Sequence, residues 1–403
     1  MRKVLIVIKP VLAGLEKILY LVCSFAGISI IFGNYNEEEI ADFFYLLSFM
    51  GALGFFYNLG VSVRVNKEIV SENYDVNLWG GYFTVQLVMV VLVSIVLVLV
   101  AEYSEIPILI AIVVSIITLL RRVEIFQYAL LNRGKVMWVA CSSVVGRAVF
   151  ILLLASLVYF DFSFYYAHLF ESMIFFIMVL LVFMQVFGKI DSRVFYIREA
   201  VGLILSDKKL LLATALSSIF MYIDVVIAKQ FLTDEQFTYY IGAVRVVLPV
   251  AAIGAVMSAV SSKFFYNFFL DNKNKCLLLI VSMFFSSLVV MLLLEDFINL
   301  FFSMLFKEKW YGVSSSFSIV KYAALFIFWG QFFSKLVFLN NRAGSEALKL
   351  IVGVALYTLL LPFLANEFGL LGASVSFLVV YIFVDFIFPI GILLNVDSNS
   401  SNL

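Results

Sequence analysis

The residues of this sequence most able to do chemistry are charges that lie inside long apolar stretches. Asp224 and Arg245 sit in two such stretches, joined by a short acidic link at residues 233–235. Counted from that link, they lie roughly 12 Å and 10 Å down neighbouring helices, at about 1.5 Å rise per residue. A charge in hydrocarbon is costly and is expected to have a function or a partner. Three roles stay open: a structural ion pair, a proton-linked carboxylate, or an anion site in which Asp224 holds Arg245 until substrate displaces it.

Further charges occur in apolar stretches of the first half: Arg121, Arg122, Glu124, Arg147 and Glu171. Arg121 and Glu124 are three residues apart, so they share a helix face and can pair with each other. Arg147 has no carboxylate at helical spacing. It is therefore the better candidate to bind a phosphate or an acidic sugar, because a guanidinium group matches phosphate oxygens in a bidentate way. The structural alternative is a tertiary ion pair with Glu16 or Glu171, since buried charges are usually paired.

One helical stripe carries both an imidazole and a carboxylate. His168 and Glu171 are three residues apart, with Tyr165 and Phe175 on the same stripe. A histidine beside a carboxylate can titrate near neutral pH, which makes this pair a candidate proton site. His168 also lies only about 7 Å from the predicted outer face, where aromatic and polar side chains serve as interfacial anchors. Both interpretations stay open.

Other charged residues are assigned no site. Four lysines lie near the ends of apolar stretches, where long side chains are expected to extend to water: Lys229, Lys321, Lys335 and Lys349. Asp385 lies in the last apolar stretch without a partner that the sequence identifies.

Composition defines the class of protein. Hydrophobic residues make up 64% of 403 positions, charged residues 13%, and the mean hydropathy is +1.10, whereas soluble proteins are about half apolar. The formal net charge is zero, which argues against nucleic acid as a partner. Three cysteines in or beside separate stretches and a single histidine offer no metal or triad chemistry. We expect a polytopic membrane protein that is not an enzyme, needs no cofactor, and retains its first apolar stretch rather than losing it as a signal peptide.

Hydropathy predicts an all-α protein with twelve membrane spans. The spans are expected at 11–32, 41–63, 78–101, 106–131, 137–160, 163–187, 210–232, 238–262, 277–298, 317–340, 347–365 and 369–394. With a cytoplasmic amino terminus, sixteen Lys and Arg residues fall in cytoplasmic segments and two in the opposite loops. The positive-inside rule therefore predicts that both termini are cytoplasmic.

The longest connection divides the chain into two halves of six spans. We predict an N-lobe at 1–187, a basic cytoplasmic linker at 188–209, a C-lobe at 210–394 and a cytoplasmic tail at 395–403. A shift of 195 residues lays the first three spans on the seventh to ninth, and similar short motifs follow the fourth and tenth spans. This pattern indicates a parallel repeat, although short loops beside basic residues can also look alike by chance.

Several stretches resemble the O-antigen and polysaccharide flippases (Wzx-type translocases) of the multidrug/oligosaccharidyl-lipid/polysaccharide (MOP) exporter superfamily. Residues 222–249, with Tyr222, Asp224 and Arg245, resemble the family's seventh and eighth spans. Residues 364–374 resemble its turn into the last helix, residues 307–312 its outer loop, and residues 32–35 loosely its first outer loop. The chain departs from many relatives at Tyr222, where they carry a basic residue, and near Phe237, where they carry a glycine.

The resemblance implies two six-helix lobes that open alternately inward and outward, as in MATE transporters. It implies transport of undecaprenyl-pyrophosphate-linked oligosaccharide across the bacterial inner membrane, driven by an H⁺ or Na⁺ gradient, with an O-antigen polymerase and a chain-length regulator as partners. By motif position it supports Asp224 and Arg245; Arg121, Arg122 and Arg147 follow only from their place in cavity-forming spans. We expect the arginines to bind substrate, and Asp224, Glu171 and His168 to serve in ion coupling or gating.

Three alternatives are open. A drug exporter of the same fold would need an apolar cavity with few arginines. A peptidoglycan-precursor flippase is expected from its family pattern to have two further spans. An O-antigen polymerase, an enzyme of another class, would need a large outer loop, and none is predicted in this sequence.

Overall fold

The computed structural model describes residues 22–61, 76–123, 125–126, 130, 136–187, 194–206, 208–340 and 343–395. Every regular element within these ranges is a helix, and none of them contains a strand. The all-α class predicted from hydropathy is therefore confirmed. The chain forms two compact units, one up to Tyr222 and one from Ile223 onward.

The helices follow one another with short connections. The first unit contains α1 (Val22–Asn34), α2 (Glu37–Ala52), α3 (Gly54–Asn58), α4 (Val76–Tyr103), α5 (Ile108–Arg121), α6 (Val136–Tyr159), α7 (Tyr165–Phe187), α8 (Val194–Ser206) and α9 (Lys208–Phe220). The second unit contains α10 (Ile223–Phe231), α11 (Asp234–Val247), α12 (Pro249–Asp271), α13 (Lys273–Leu293), α14 (Glu295–Phe306), a 3₁₀ turn (Lys307–Lys309), α15 (Trp310–Leu339), α16 (Ala343–Tyr381), a π-helical segment (Ile382–Ile387) and α17 (Phe388–Leu394).

Six helical segments of the described chain are long and apolar enough to cross a membrane. They are Leu78–Tyr103, Tyr165–Val186, Thr214–Phe231, Lys273–Leu293, Glu295–Val337 and Gly344–Leu394. Shorter apolar helices occupy Val22–Asn34, Ile108–Arg121 and Val144–Tyr159. The chain is thus a multi-pass membrane protein, while the number of twelve spans stays a prediction.

The last of these segments folds back on itself. Gly369 has φ 56° and ψ −131° inside α16, a conformation outside the helical region. A Cβ added to Gly372 would lie 1.9 Å from the carbonyl oxygen of Leu364, although eight residues of straight helix span about 12 Å. The chain therefore reverses at Gly369, next to the predicted boundary between the eleventh and twelfth spans.

The segment Glu295–Val337 reverses in the same way. Lys307 has φ 51°, and the rings of Phe302 and Phe317 pack 4.8 Å apart on either side of it. Fifteen residues of straight helix would separate those rings by about 22 Å. Helices α14 and α15 therefore form a hairpin around the 3₁₀ turn.

Connections at the predicted outer face follow one order in both units. The first is capped by a side chain: Asn36 accepts a hydrogen bond from the Glu39 N–H at 2.8 Å, and Thr233 accepts one from the Gln236 N–H at 3.3 Å. The next two connections each contain a residue with positive φ: Glu105 and Asp161 in the first unit, Lys307 and Gly369 in the second. This order supports the predicted parallel repeat, which stays a prediction.

Tyr35 ties two outer connections of the first unit together. Its hydroxyl donates a hydrogen bond to the carbonyl oxygen of Phe162 at 3.0 Å. Burial, with the nearby negative charges of Glu39 and Asp161, raises the pKa of Tyr35 to about 12.

The predicted linker contains the helix α8. Ala200 and Ile204 of α8 are buried in one apolar core with Trp79 and Tyr82 of α4. A Cβ on Gly81 would lie 2.5 Å from the carbonyl oxygen of Tyr196, so α4 and α8 approach to backbone contact. Helix α9, which the predicted C-lobe includes, packs on α2 and α3 of the first unit. The lobe boundaries of the sequence stay a prediction.

Candidate functional site

Four of the predicted site residues meet inside the first unit. Glu171, on α7, is 3% exposed. Its carboxylate lies 2.8 Å from Arg121 Nη2 and 3.2 Å from Arg147 Nε through Oε1, and 3.3 Å from Arg147 Nη1 through Oε2. His168 Nδ1 lies 3.7 Å from Oε2. We call Arg121, Arg147, His168 and Glu171 the guanidinium cluster.

Three helices of the first unit position this cluster. Arg121 is the last residue of α5, Arg147 lies midway along α6, and His168 and Glu171 lie in the first two turns of α7. Helix α7 packs on both α5 and α6. Arg147 and Arg121, which lie 24 and 50 positions before Glu171 in the chain, therefore reach the same carboxylate.

Aromatic rings and one hydroxyl hold the two guanidinium groups. Arg121 lies over the Phe175 ring at 4.9 Å and donates from Nε to Ser172 Oγ at 3.3 Å. Arg147 lies over the Phe150 ring at 5.7 Å. Cation–π contacts in a desolvated setting stabilise a guanidinium group without neutralising its charge. Both arginines are thereby oriented toward one point.

His168 is packed between aromatic rings of α2 and α6. Its imidazole stacks on Phe43 at 5.2 Å and 18° and contacts Phe150 at 4.5 Å. Its Nε2 atom is buried and has no hydrogen-bond partner among the described residues. The stripe of His168 and Glu171 that the sequence predicts is present, but the role of Phe43 from α2 could not be seen in the spacing.

Glu171 is the partner of Arg147 in the structure, one of the two ion-pair partners that the sequence left open. The ion pair with Glu171 is present, while Glu16 lies outside the described residues. Arg121 also pairs with Glu171; its alternative partner Glu124 is outside the described residues too. Two guanidinium groups that converge on one anion form an arrangement that can also bind phosphate oxygens.

Arg122 belongs to a different neighbourhood from Arg121. Its Nη1 donates to Asn58 Oδ1, its Nε donates to the Thr118 carbonyl at 3.1 Å, and its guanidinium lies 4.7 Å from the Tyr57 ring centre. The neighbouring positions of a helix point about 100° apart, so the two arginines contact different helices. The structure does not bring Arg122 into the guanidinium cluster.

Asp224 lies in the second unit and is 3% exposed. The Tyr240 hydroxyl donates a hydrogen bond to Asp224 Oδ2 at 2.9 Å. Arg245 is near enough to act on the Asp224 carboxylate electrostatically. Tyr240 is one turn and a half before Arg245 on α11 and was not singled out from the sequence, because a tyrosine among apolar residues has no distinctive spacing.

Two lysines expected at the water boundary are buried instead. Lys349 is 5% and Lys321 6% exposed. Lys349 lies 2.8 Å from Glu346 Oε2, 3.5 Å from Asp385 Oδ1 and 2.7 Å from Ser334 Oγ. Lys321 pairs with Glu295. The prediction was wrong because carboxylates on the same helix and on neighbouring helical segments neutralise these ammonium groups inside the protein.

Asp385, without a partner in the sequence, is explained by Lys349. It lies in the π-helical segment, and π-helical turns are frequent at functional positions. A Cβ on Gly330 would lie 2.5 Å from the Asp385 Cβ, so glycine allows α15 to approach this segment closely. No group of three or more metal-ligating side chains occurs among the residues that the structure describes.

Comparisons with known proteins identify the fold. No protein-family model and no curated protein sequence matches the chain. The lipid II flippase MurJ, in an inward closed conformation, matches with a TM-score of 0.70 and 12% identity, over 96% of this chain and 87% of that chain. An inward-facing multidrug resistance MATE family transporter of the MOP superfamily matches with a TM-score of 0.64 and 14% identity, over 96% of both chains.

A MATE transporter of Vibrio cholerae matches over 96% of both chains as well, with a TM-score of 0.62 and 11% identity. Likeness at such low identity establishes the fold. The chain is therefore an all-helical, multi-pass membrane protein with the fold of the MurJ flippase and the MATE transporters.

Proposed function

We propose that this chain is a flippase that moves undecaprenyl-pyrophosphate-linked O-antigen repeat units from the cytoplasmic to the periplasmic leaflet of the bacterial inner membrane. Alternating access, without covalent chemistry, performs the movement. The fold shared with a lipid-linked-substrate flippase and with MATE transporters supports a carrier of this kind. O-antigen as the cargo rests on the resemblance of residues 222–249, 307–312 and 364–374.

The convergence of Arg121 and Arg147 on one carboxylate is the observation that carries the proposal. Guanidinium groups are rare inside membranes and mark substrate pathways there. Their planar donors fit the oxygens of a pyrophosphate, so the head group leaves water for charge-assisted hydrogen bonds. The polyprenyl tail stays in lipid throughout. Arg245 and Arg122 are further candidates for contact with the pyrophosphate or with acidic sugars.

A gradient of H⁺ or Na⁺ is proposed to drive the cycle. Asp224, a buried carboxylate in contact with Tyr240, is the candidate coupling group of the second unit. Glu171 and His168 are the corresponding candidates for coupling or gating in the first unit. An O-antigen polymerase and a chain-length regulator are the proposed partners on the periplasmic side.

A small-molecule exporter is the second candidate, favoured by the match to MATE transporters. Such a carrier binds its cargo mostly through apolar and aromatic contacts. Under this alternative, neutral replacement of Arg147 leaves transport largely unchanged. The effect of Arg147 on transport therefore separates the two candidates.

A surface-glycan gel from the host with the gene deleted tests the proposal. The intact chain should restore O-antigen, including single capped repeats, while Arg147→Ala should not, because the pyrophosphate loses a charge-assisted contact. Arg198→Ala, on the exposed side of α8, is the matched control and should restore it. Membrane insertion of each variant is verified by immunoblot.

Two other results would contradict parts of the proposal. Single capped repeats that persist without long chains in the deletion host would mean that repeats still cross the membrane, which points to polymerisation. Full restoration of O-antigen by both Arg147→Ala and Arg245→Ala would reject the proposed cationic binding site.

A further inference from the structure

We propose that Glu171 is a built-in competitor of the substrate, occupying the anion site formed by Arg121 and Arg147 whenever that site is empty of cargo. The inference rests on the proposed function, in that the competing anion is the pyrophosphate of the lipid-linked cargo. It assigns to Glu171 a role as competing anion in addition to its proposed role in coupling or gating.

Geometry identifies the carboxylate as an occupant of the site. Arg121 approaches Oε1 at 2.8 Å, and Arg147 approaches Oε1 at 3.2 Å and Oε2 at 3.3 Å. Both arginines thus direct donors to one small anion, as they would to a phosphoryl group. A pyrophosphate that used the same donors would have to displace this carboxylate.

The arginines of the site are more exposed than the carboxylate that they bind. The side chains of Arg121 and Arg147 are 24% and 12% exposed, whereas that of Glu171 is 4% exposed. The arginine side chains therefore offer more accessible surface to an incoming anion than the Glu171 side chain does. Phe175, Phe150 and Ser172 hold the guanidinium groups in place while their anion is exchanged.

The displaced carboxylate has a second partner within reach. His168 lies one turn before Glu171 on α7, with Nδ1 3.7 Å from Oε2. His168 Nδ1 is thus close enough to serve as the partner of the carboxylate once a pyrophosphate takes the two guanidinium groups. The exchange therefore requires no bare carboxylate in the membrane.

A competitor of this kind makes the site reversible. Two guanidinium groups largely buried in a membrane protein without an anion would be costly, so Glu171 stabilises the empty carrier. The same carboxylate weakens the apparent affinity for cargo, because a site that is competent in a fraction of molecules binds with its affinity reduced by that fraction. Moderate affinity allows the head group to leave on the other side.

The test measures binding of inorganic pyrophosphate to the full-length chain by calorimetry, in nanodiscs of phosphatidylcholine. Glu171→Gln removes the competing charge and should tighten pyrophosphate binding roughly 10- to 100-fold, the gain expected when a site occupied by its own carboxylate about 90 to 99% of the time is freed. Glu295→Gln, which neutralises the partner of buried Lys321 in the second unit, is the matched control and should bind as the intact chain does.

Unchanged or weaker binding by Glu171→Gln would overturn the proposal, because a purely structural ion pair makes the site worse when it is broken. If Glu171→Gln yields no folded protein, Glu171→Asp decides, since it keeps the charge but shortens the side chain by one methylene. That variant should bind pyrophosphate several-fold more tightly, and equal affinity would reject the competitor role.

The surface-glycan gel distinguishes failure of this inference from failure of the proposed function. If the intact chain does not restore O-antigen but Glu171→Gln binds pyrophosphate more tightly than the intact chain, the competitor role of Glu171 stands and the assignment of O-antigen as cargo is rejected. If the intact chain restores O-antigen and Glu171→Gln binds pyrophosphate no more tightly, the proposed function stands and Glu171 is a structural partner of the arginines.

Discussion

At the scale of residues, the Glu171 carboxylate lies beside two guanidinium groups and an imidazole that three helices contribute. His168 and Glu171 share a stripe because they are three residues apart on one helix, and the sequence was sufficient to find them. Arg147 and Arg121 reach Glu171 across helix boundaries, so the ion pair with Arg147 could only be one of two alternatives. The contacts of Lys321 with Glu295 and of Lys349 with Asp385 escaped prediction for the same reason.

The packing of His168 leads to a prediction about stability. His168→Phe keeps the ring stack on Phe43 and removes a buried nitrogen that has no hydrogen-bond partner among the described residues. Its thermal unfolding in detergent should match that of the intact chain or occur at a higher temperature. His168→Ala leaves a cavity against two rings and should cost about 2 to 4 kcal/mol.

A loss of stability in His168→Phe as large as that in His168→Ala would show that the polar contact with Glu171 matters more than the stack. Transport lost in His168→Phe at unchanged stability would instead assign the imidazole to ion movement.

At the scale of elements, the stretches predicted from hydropathy overlap most of the described helices, and the turns follow from backbone conformation. Gly369 and Lys307 lie at or beside gaps between predicted spans, and both have positive φ with ψ near −125°. Helix α8 was missed, because thirteen residues of mixed polarity in a basic connection do not produce a span signal. Its burial against Trp79 is a tertiary effect that residue order along one segment cannot reveal.

These two turns predict opposite effects of matched substitutions. Gly369→Ala forces a side chain into a backbone conformation that is nearly exclusive to glycine and should destabilise the chain by about 1 to 3 kcal/mol. Lys307→Gly relieves the same conformation and should raise the temperature of unfolding. Gly391→Ala, in α17 with no atom within 4 Å of the added Cβ, should be neutral or slightly stabilising. Equal unfolding temperatures for Gly369→Ala and Gly391→Ala would contradict the reversal at Gly369.

At the scale of the whole molecule, composition determined more than any motif. Apolar residues in long runs made a multi-pass helical protein the expected class, and the fold shared with MurJ and MATE transporters agrees with it at 11 to 14% identity. Such low identity is compatible with one fold because lipid-facing positions need only be apolar. Composition does not identify the cargo, because cargo recognition depends on a few polar side chains.

Orientation in the membrane is predicted from the distribution of basic residues and can be measured. In a chain with Cys23, Cys141 and Cys276 replaced, Ser104→Cys should react with a membrane-impermeant maleimide in intact spheroplasts. Asn274→Cys should react only after the membrane is permeabilised. Both positions are exposed and border short connections, so they differ in side rather than in access. The reverse pattern would place both termini in the periplasm.

The burial of Tyr35 beside Glu39 and Asp161 has a consequence for chemical labelling. Iodinating and nitrating reagents attack phenolates, and a pKa of about 12 leaves Tyr35 un-ionised at any pH that a membrane tolerates. Tyr103, Tyr159 and Tyr311 are 91%, 83% and 91% exposed at the ends of helices that lead to the same predicted face. A reagent confined to that side should therefore modify these three tyrosines and leave Tyr35 unmodified, although Tyr35 belongs to a connection at the same predicted face.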